Sequence, residues 1–198
     1  MTSSARLLRS AEELRAIAGK YDFSYFFAIG DIMRGWGLGT GGRSSEGIPL
    51  LLQGLTALRA TGCNVILPFY LTMLAEVCGK ASQPQEGLDR LAEAVTLVGT
   101  TQERWAEAEI HRVRGTLLLS LHADAAAEDS FRLALTVAQQ QSAKFWELRA
   151  ATSLARLWRD QGKRTEARDL LAPVYGWFTE GFDTPVLKDA KALLDELA

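Results

Sequence analysis

The chain has 198 residues, of which 47% are hydrophobic and 23% are charged, and its formal net charge is −2. This near balance of charge argues against a nucleic-acid-binding surface and against a polybasic membrane contact. No window approaches the roughly 20 uncharged apolar residues that a membrane span needs, and residues 1–10 lack the apolar stretch of a signal peptide. We therefore expect a cytoplasmic protein without a nucleic-acid or membrane partner.

The chain contains two cysteines, Cys63 and Cys78. Two thiols cannot supply the four ligands that structural zinc requires. We expect both to be small buried side chains in a reducing compartment. The sequence predicts neither a metal site nor a cofactor.

Helix-favouring residues are abundant along the whole chain, and alternating β-branched runs with hairpin turns are missing. This pattern predicts an all-α protein. Its first element is an N-terminal segment, residues 1–20, with an amphipathic helix over residues 4–19. We expect this helix to cover one end of the fold.

The densest aromatic cluster of the chain, Tyr21–Phe27, follows the N-terminal helix (sequence YDFSYFF). We expect it to pack that helix onto the next element. The alternative is a hydrophobic patch that pairs two protomers in a homodimer.

Residues 24–181 repeat with a period of about 40 residues, which predicts four helical hairpins. Small residues recur where two helices of a hairpin would cross, and bulky apolar residues recur beside them. The recurring positions are Gly35, Ala75, Gly115 and Ala155; Leu38, Cys78, Leu118 and Trp158; Gly47, Gly87, Ala127 and Ala167; Leu51, Leu91, Phe131 and Leu171; and Gly54, Ala94, Ala134 and Val174. Stacked hairpins of this kind form an α-solenoid.

The last segment, residues 183–198, begins its helix at a proline and carries apolar residues at helical spacing. A solenoid needs terminal helices that cover its hydrophobic ends. We therefore expect a C-terminal capping helix, and a single superhelical domain over residues 1–198.

These columns resemble the tetratricopeptide (TPR) pattern, Leu-Gly-x2-Tyr in a first helix and Ala-x3-Phe-x2-Ala in a second. The matching stretches are Arg114-Gly115-x2-Leu118 followed by Ala127-x3-Phe131-x2-Ala134, with their counterparts in the next repeat. The period here is longer than the usual repeat of the family, which has about 34 residues. The resemblance implies a fold of stacked helical hairpins.

Several stretches also resemble the C-terminal helical-repeat region of bacterial adenylate/guanylate cyclase–ATPase signalling proteins. They lie at Met33–Trp36, Glu103–Arg112, Glu147–Trp158 and Tyr175–Thr184. The resemblance implies a regulatory segment without catalytic parts, because neither the metal-binding aspartates of the cyclase nor the phosphate loop of the ATPase occurs in these residues.

No motif predicts catalysis. Residues 37–42 (GLGTGG) satisfy G-x-G-x-x-G, but this fingerprint needs a preceding strand, and here it falls at the end of a first helix and its turn. His111 and His122 are well separated in the sequence and are expected on a helix face and in a turn. Glu107 and Glu109 point away from each other on a helix. We expect a protein that is not an enzyme.

The first helices of solenoid hairpins line a concave face, which is the usual binding surface of such proteins. Opposite the packing columns, the first helices offer apolar side chains early in the chain and cationic ones later. The candidate partner-binding residues are Trp36, Phe69, Thr72, Glu76, Arg112, Thr116, Arg149, Arg156 and Arg159.

These features predict a protein-interaction scaffold, a regulatory module that binds a peptide or a partner domain in the concave groove. Two alternatives remain open. One is a self-association module of a larger signalling protein, and the other is a small-molecule effector sensor that uses the groove.

Overall fold

The computed structural model describes residues 3–198 and their side chains from residue 5 onward. Met1 and Thr2, the first residues of the predicted N-terminal segment, lie outside the described residues. Ten helices form the described part of the chain, which contains no strand, and the all-α prediction is confirmed. They are α1 (Ser3–Lys20), α2 (Ser24–Thr40), α3 (Ser44–Ala60), α4 (Leu67–Lys80), α5 (Pro84–Thr101), α6 (Glu107–Ser120), α7 (Asp124–Gln140), α8 (Lys144–Asp160), α9 (Arg164–Gly176) and α10 (Pro185–Glu196).

Four antiparallel hairpins, α2–α3, α4–α5, α6–α7 and α8–α9, follow one another along the chain as the period predicts. The helices form two compact units. The first unit ends at Arg104 and holds α1 to α5, with α4 packed on α2 and α3. The second unit spans Trp105–Ala198 and holds α6 to α10, with α8 packed on α6 and α7. The single superhelical domain over residues 1–198 stays a prediction.

The turns between helices repeat at half the hairpin period. Residues with positive φ recur at a constant spacing, at Asp22, Gly42, Gly62, Ser82, Gln102, His122, Ser142 and Gly162. Within the hairpins, the residue after the positive-φ position donates its N–H back to a carbonyl of the preceding helix, as in Arg43 to Leu38 (2.9 Å) and Lys163 to Trp158 (2.8 Å). This is the Schellman helix end. Each hairpin turn has only three residues, so the excess over the usual TPR repeat length does not lie there.

The small-residue columns lie where the helices of each hairpin cross. A Cβ on Gly35 would lie 2.7 Å from the carbonyl oxygen of Gly47, and a Cβ on Gly115 would lie 2.5 Å from the ring of Phe131. Ala167 at the corresponding crossing of the last hairpin is fully buried. The predicted packing positions are confirmed.

The end of α2 is rich in glycine, a residue of low helix propensity. The helix continues through Gly37 and Gly39 and ends at Thr40. A Cβ on Gly39 would lie 2.4 Å from Cγ1 of Val77, so this glycine lets α4 approach α2 closely. The packing against α4 compensates for the propensity.

Both terminal helices cover the hairpins next to them. On the α1 side, the guanidinium of Arg15 lies 2.6 Å from the buried carboxylate of Asp31 on α2. On the other side, α10 packs on α8 and α9 through Leu187, Ala190 and Leu193. The predicted capping positions are confirmed. None of the helices in residues 3–198 is both long enough and apolar enough to cross a membrane.

Candidate functional site

In the first unit, the predicted face holds a pair of residues one repeat apart. The indole N–H of Trp36 on α2 donates a hydrogen bond to Oε2 of Glu76 on α4, at 3.3 Å, and both side chains are half-buried. Phe69 is also half-buried, and its ring centre lies 6.0 Å from that of Tyr70. Burial raises the pKa of Tyr70 to about 12. Trp36, Phe69 and Glu76 are thus partly accessible.

Thr72 is not accessible, and its prediction as a binding residue is wrong. Only 2% of the residue is exposed, and its hydroxyl donates to the carbonyl oxygen of Pro68 at 2.8 Å. Its counterparts Ile32 and Thr152 are equally buried. This column lies between neighbouring first helices, so a side chain there packs inside the unit.

Arg112 occupies the same column in the second unit and begins an ionic cluster. Its Nε and Nη2 donate to the two carboxylate oxygens of Glu109 at 2.8 and 2.7 Å. Arg149 on α8, one repeat beyond Glu109, donates its Nη2 to Glu109 Oε1 at 2.7 Å. Glu109 is only 5% exposed, so one buried carboxylate holds two guanidinium groups in place.

An aromatic shelf, formed by Trp105, Phe145 and Trp146, lies beside this cluster. The guanidinium carbon of Arg149 is 5.9 Å from the ring centre of Phe145 and 5.8 Å from that of Trp146. The rings of Phe145 and Trp146 meet edge to face at 5.0 Å, and Trp105 lies 6.4 Å from Trp146. Arg149 therefore lies between an anion and π faces, which both orient it.

Two of the three shelf residues are open to solvent. Aromatic side chains at hairpin junctions are commonly buried, yet Trp105 and Phe145 are 42% and 47% exposed. Trp146 alone is partly buried, against Ala108, Val137 and Ala138. Large aromatic groups held beside an arginine and left open to water are typical of a recognition surface.

Arg149 keeps hydrogen-bond donors that the cluster does not use. Two guanidinium groups, those of Arg112 and Arg149, share the Glu109 carboxylate. Arginine has five N–H donors, and among the described residues Arg149 uses one of them in a hydrogen bond. The arrangement can accept a second carboxylate from a ligand while an apolar side chain contacts Phe145. Thr116, one turn after Arg112, is exposed and donates its hydroxyl to the Arg112 carbonyl oxygen at 3.2 Å.

The sequence predicts that Arg149, Arg156 and Arg159 form an open cationic stripe. In the structure, Arg156 and Arg159 are paired with acidic side chains instead. The carboxylate of Asp189 on α10 accepts a hydrogen bond from Arg156, and Glu196 accepts one from Arg159. Arg159 also donates to its neighbour Asp160. The acidic partners lie on the C-terminal helix α10, and the spacing of residues within α8 does not show that this helix packs there.

The Tyr21–Phe27 cluster divides into a packed part and an exposed part. Phe27 lies under the guanidinium of Arg15 (4.7 Å) and near Gly19, so it packs α1 onto α2 as expected. Tyr21 stacks on Phe23, Phe23 meets Phe26 edge to face, and all three residues are about half exposed. The cluster leaves an aromatic patch on the surface of the first unit.

The other groups considered in the sequence are residues 37–42, the two histidines and the two cysteines. Residues 37–42 form the end of α2 and its turn, and His122 lies in a turn, as expected. His111 lies on α6, and burial lowers its pKa below the ordinary value. Cys78 is buried, which raises its pKa to about 11, but Cys63 in the α3–α4 connection is partly exposed, so the prediction of its burial is wrong.

The fold is similar to those of solved TPR-like proteins. The crystal structure of BtubC (BKLC) from P. vanneervenii superposes with a TM-score of 0.72 at 12% sequence identity, over 100% of this chain and 90% of that one. Two structures of kinesin light chain-like proteins with nearly identical TPR-like repeats, from Podosopora anserina, give TM-scores of 0.61 and 0.58. Their identities are 18% and 15%, with coverage of 87% and 98% of this chain and 85% and 88% of those chains.

No protein-family model matches the sequence, and no curated protein matches it. The structural likeness supports an α-solenoid fold of TPR-like hairpins, consistent with the sequence pattern. The resemblance to cyclase–ATPase signalling proteins is not found among these comparisons.

Proposed function

We propose that this protein is a non-catalytic interaction scaffold that binds an acidic segment of a partner protein on the first helices of its second unit. The fold supports a scaffold in general terms, because TPR-like repeats bind protein partners. The cluster of Glu109, Arg112 and Arg149 beside the exposed aromatic shelf carries the specific proposal.

The ligand is defined by the chemistry of the cluster. A carboxylate of the partner pairs with Arg149, whose orientation is already fixed by Glu109 and by the two rings below it. An apolar side chain next to that carboxylate covers Phe145 and Trp105. Because the arginine is held before binding, little side-chain entropy is lost when the ligand arrives.

A displayed library of random peptides, selected on the full chain, tests this proposal. We expect the enriched peptides to combine an acidic residue with a neighbouring large apolar residue. Arg149→Ala and Phe145→Ala should each weaken their binding at least tenfold, and higher salt should weaken binding to the parent.

The matched control is Arg168→Ala, because Arg168 is an exposed arginine on the second helix α9. This variant should bind the selected peptides as the parent does. Peptides without acidic residues, or binding unchanged by Arg149→Ala, would contradict the proposal. Circular dichroism checks that each variant keeps its helical content.

We propose homodimer formation through the first unit as a second candidate function, since Tyr21, Phe23 and Phe26 expose an aromatic patch. Lys20 and Asp22, which carry opposite charges, lie on either side of Tyr21 in the sequence, so the patch does not carry a single sign of charge that would repel a second copy. Light scattering should give a mass that rises with concentration. Phe23→Ser should abolish the rise, and Phe182→Ser, a change at a half-exposed phenylalanine of the second unit, should not.

The cellular setting that we propose is a cytoplasmic bacterial signalling protein. It is supported by the sequence resemblance to the repeat region of cyclase–ATPase proteins and by the regulatory use of such regions. The gene context tests it: a cyclase or ATPase module encoded in the same reading frame supports the setting, and an isolated gene without such a module contradicts it.

A further inference from the structure

The last helix of the chain is held on α8 by two acidic side chains. Asp189 binds Arg156, and Glu196 binds Arg159. The spacing of the two acids in the sequence places them two turns apart along one face of α10. Arg164 at the start of α9 also donates to the backbone carbonyl oxygen of Glu196.

The apolar face of α10 lies in a groove formed by α8 and α9. Leu187, Ala190, Leu193 and Leu197 of the last helix and its end belong to the same buried hydrophobic cluster as Leu148 and Ala151 of α8 and Leu171 and Val174 of α9. In the described residues, α10 contacts no helix other than α8 and α9. The non-helical segment 177–184 joins it to α9.

The polar part of this contact is weak and exchangeable. Arg156, Asp189 and Glu196 are all substantially exposed, and ion pairs in such positions contribute little to stability. They instead select the charge of the helix that lies in the groove, because a basic helix would place like charges together.

We propose that the α8–α9 groove is a docking surface for an amphipathic helix of a second protein, with apolar residues on one face and acidic residues two turns apart. The occupant within the chain, α10, has this pattern and competes with the partner. This surface is separate from the arginine–aromatic cluster, so the inference does not depend on the function proposed above.

A labelled synthetic peptide of residues 182–198 serves as the probe, measured by fluorescence anisotropy with the full chain at low concentration. The parent should bind it weakly, because its tethered α10 acts at a high effective concentration. In the full chain carrying Asp189→Lys and Glu196→Lys, the internal helix faces the arginines with like charge. This variant should bind the peptide at least tenfold more tightly than the parent.

Adding Arg156→Glu and Arg159→Glu to that variant restores the internal pairs with reversed polarity, and the acidic peptide should again bind weakly. Lys191→Glu with Asp195→Lys reverses a pair between exposed side chains within α10 and should leave the affinity at the parent level. Asp189→Asn with Glu196→Gln removes the pairs without adding like charge and should stay close to the parent affinity, because exposed ion pairs contribute little to stability. Unchanged affinity in the variant carrying Asp189→Lys and Glu196→Lys, or tight binding by the fourfold variant, would overturn the proposal.

Discussion

Gly35 and Gly47 lie so close that neither has room for a side chain: a Cβ on Gly47 would lie 2.5 Å from the carbonyl oxygen of Gly35. In both helices the atoms that a Cβ would meet first are backbone atoms, which cannot rotate away as the end of a side chain can. The α2–α3 crossing thus depends on two glycines, one in each helix of the hairpin.

Gly35→Ala should therefore destabilise the protein by about 1–3 kcal/mol through overpacking. Gly99→Ala is the matched control, because Gly99 is an exposed residue inside α5 with no atom within 4 Å of a Cβ there. That change should stabilise the protein by about 0.5–1 kcal/mol through helix propensity. Thermal unfolding of both variants measures the difference, and equal effects would contradict the close approach.

The positive-φ turns give a second prediction. Ser142 has φ of 54°, a conformation that disfavours residues with a Cβ, so Ser142→Gly should stabilise the protein by about 0.5–1 kcal/mol. Gly162 occupies the positive-φ position of the turn within the last hairpin, at φ of 81°, and a Cβ there would meet no atom. Gly162→Ala should destabilise by about 1–2 kcal/mol from conformation alone. Urea unfolding tests whether the two changes have opposite signs.

His111 predicts a dependence of stability on pH. Burial lowers its pKa in the folded state, with Glu107 opposing and Arg114 adding to the shift. Below the ordinary pKa of 6.5 the unfolded chain takes up a proton that the folded chain does not, so stability falls as the pH decreases from about 7 to 5. The melting temperature of His111→Gln should fall less over this range than that of the parent.

The repeat architecture could be predicted from the sequence because packing requires the same residue size at each helix crossing. Gly115 and Ala167 are small for that reason, and Phe131 is large for the same reason. The turns recur at the same positions of the repeat: the backbone carbonyl oxygens of Leu38 and Trp158 each accept the hydrogen bond that ends a first helix. The spacing of residues within one repeat is therefore enough to predict the hairpins.

The accessible face could not be predicted as well. A first helix is covered by its own second helix and by neighbouring first helices, so its open arc is narrow, and Thr72 falls just outside that arc. Arg156 and Arg159 are paired by the last helix, which is distant from them in the sequence. One usable signal was missed: Glu109 and Arg149 are one repeat apart and have opposite charges.

A double-mutant cycle between Arg149 and the partner carboxylate tests the central claim most directly. Calorimetry would measure the binding of a selected acidic peptide, and of its amide analogue, to the parent and to Arg149→Ala. We expect the two changes to be non-additive, with a coupling free energy of at least about 1 kcal/mol that decreases at high salt. Additive effects of the two changes would show that the carboxylate does not bind Arg149 and would contradict the proposed site.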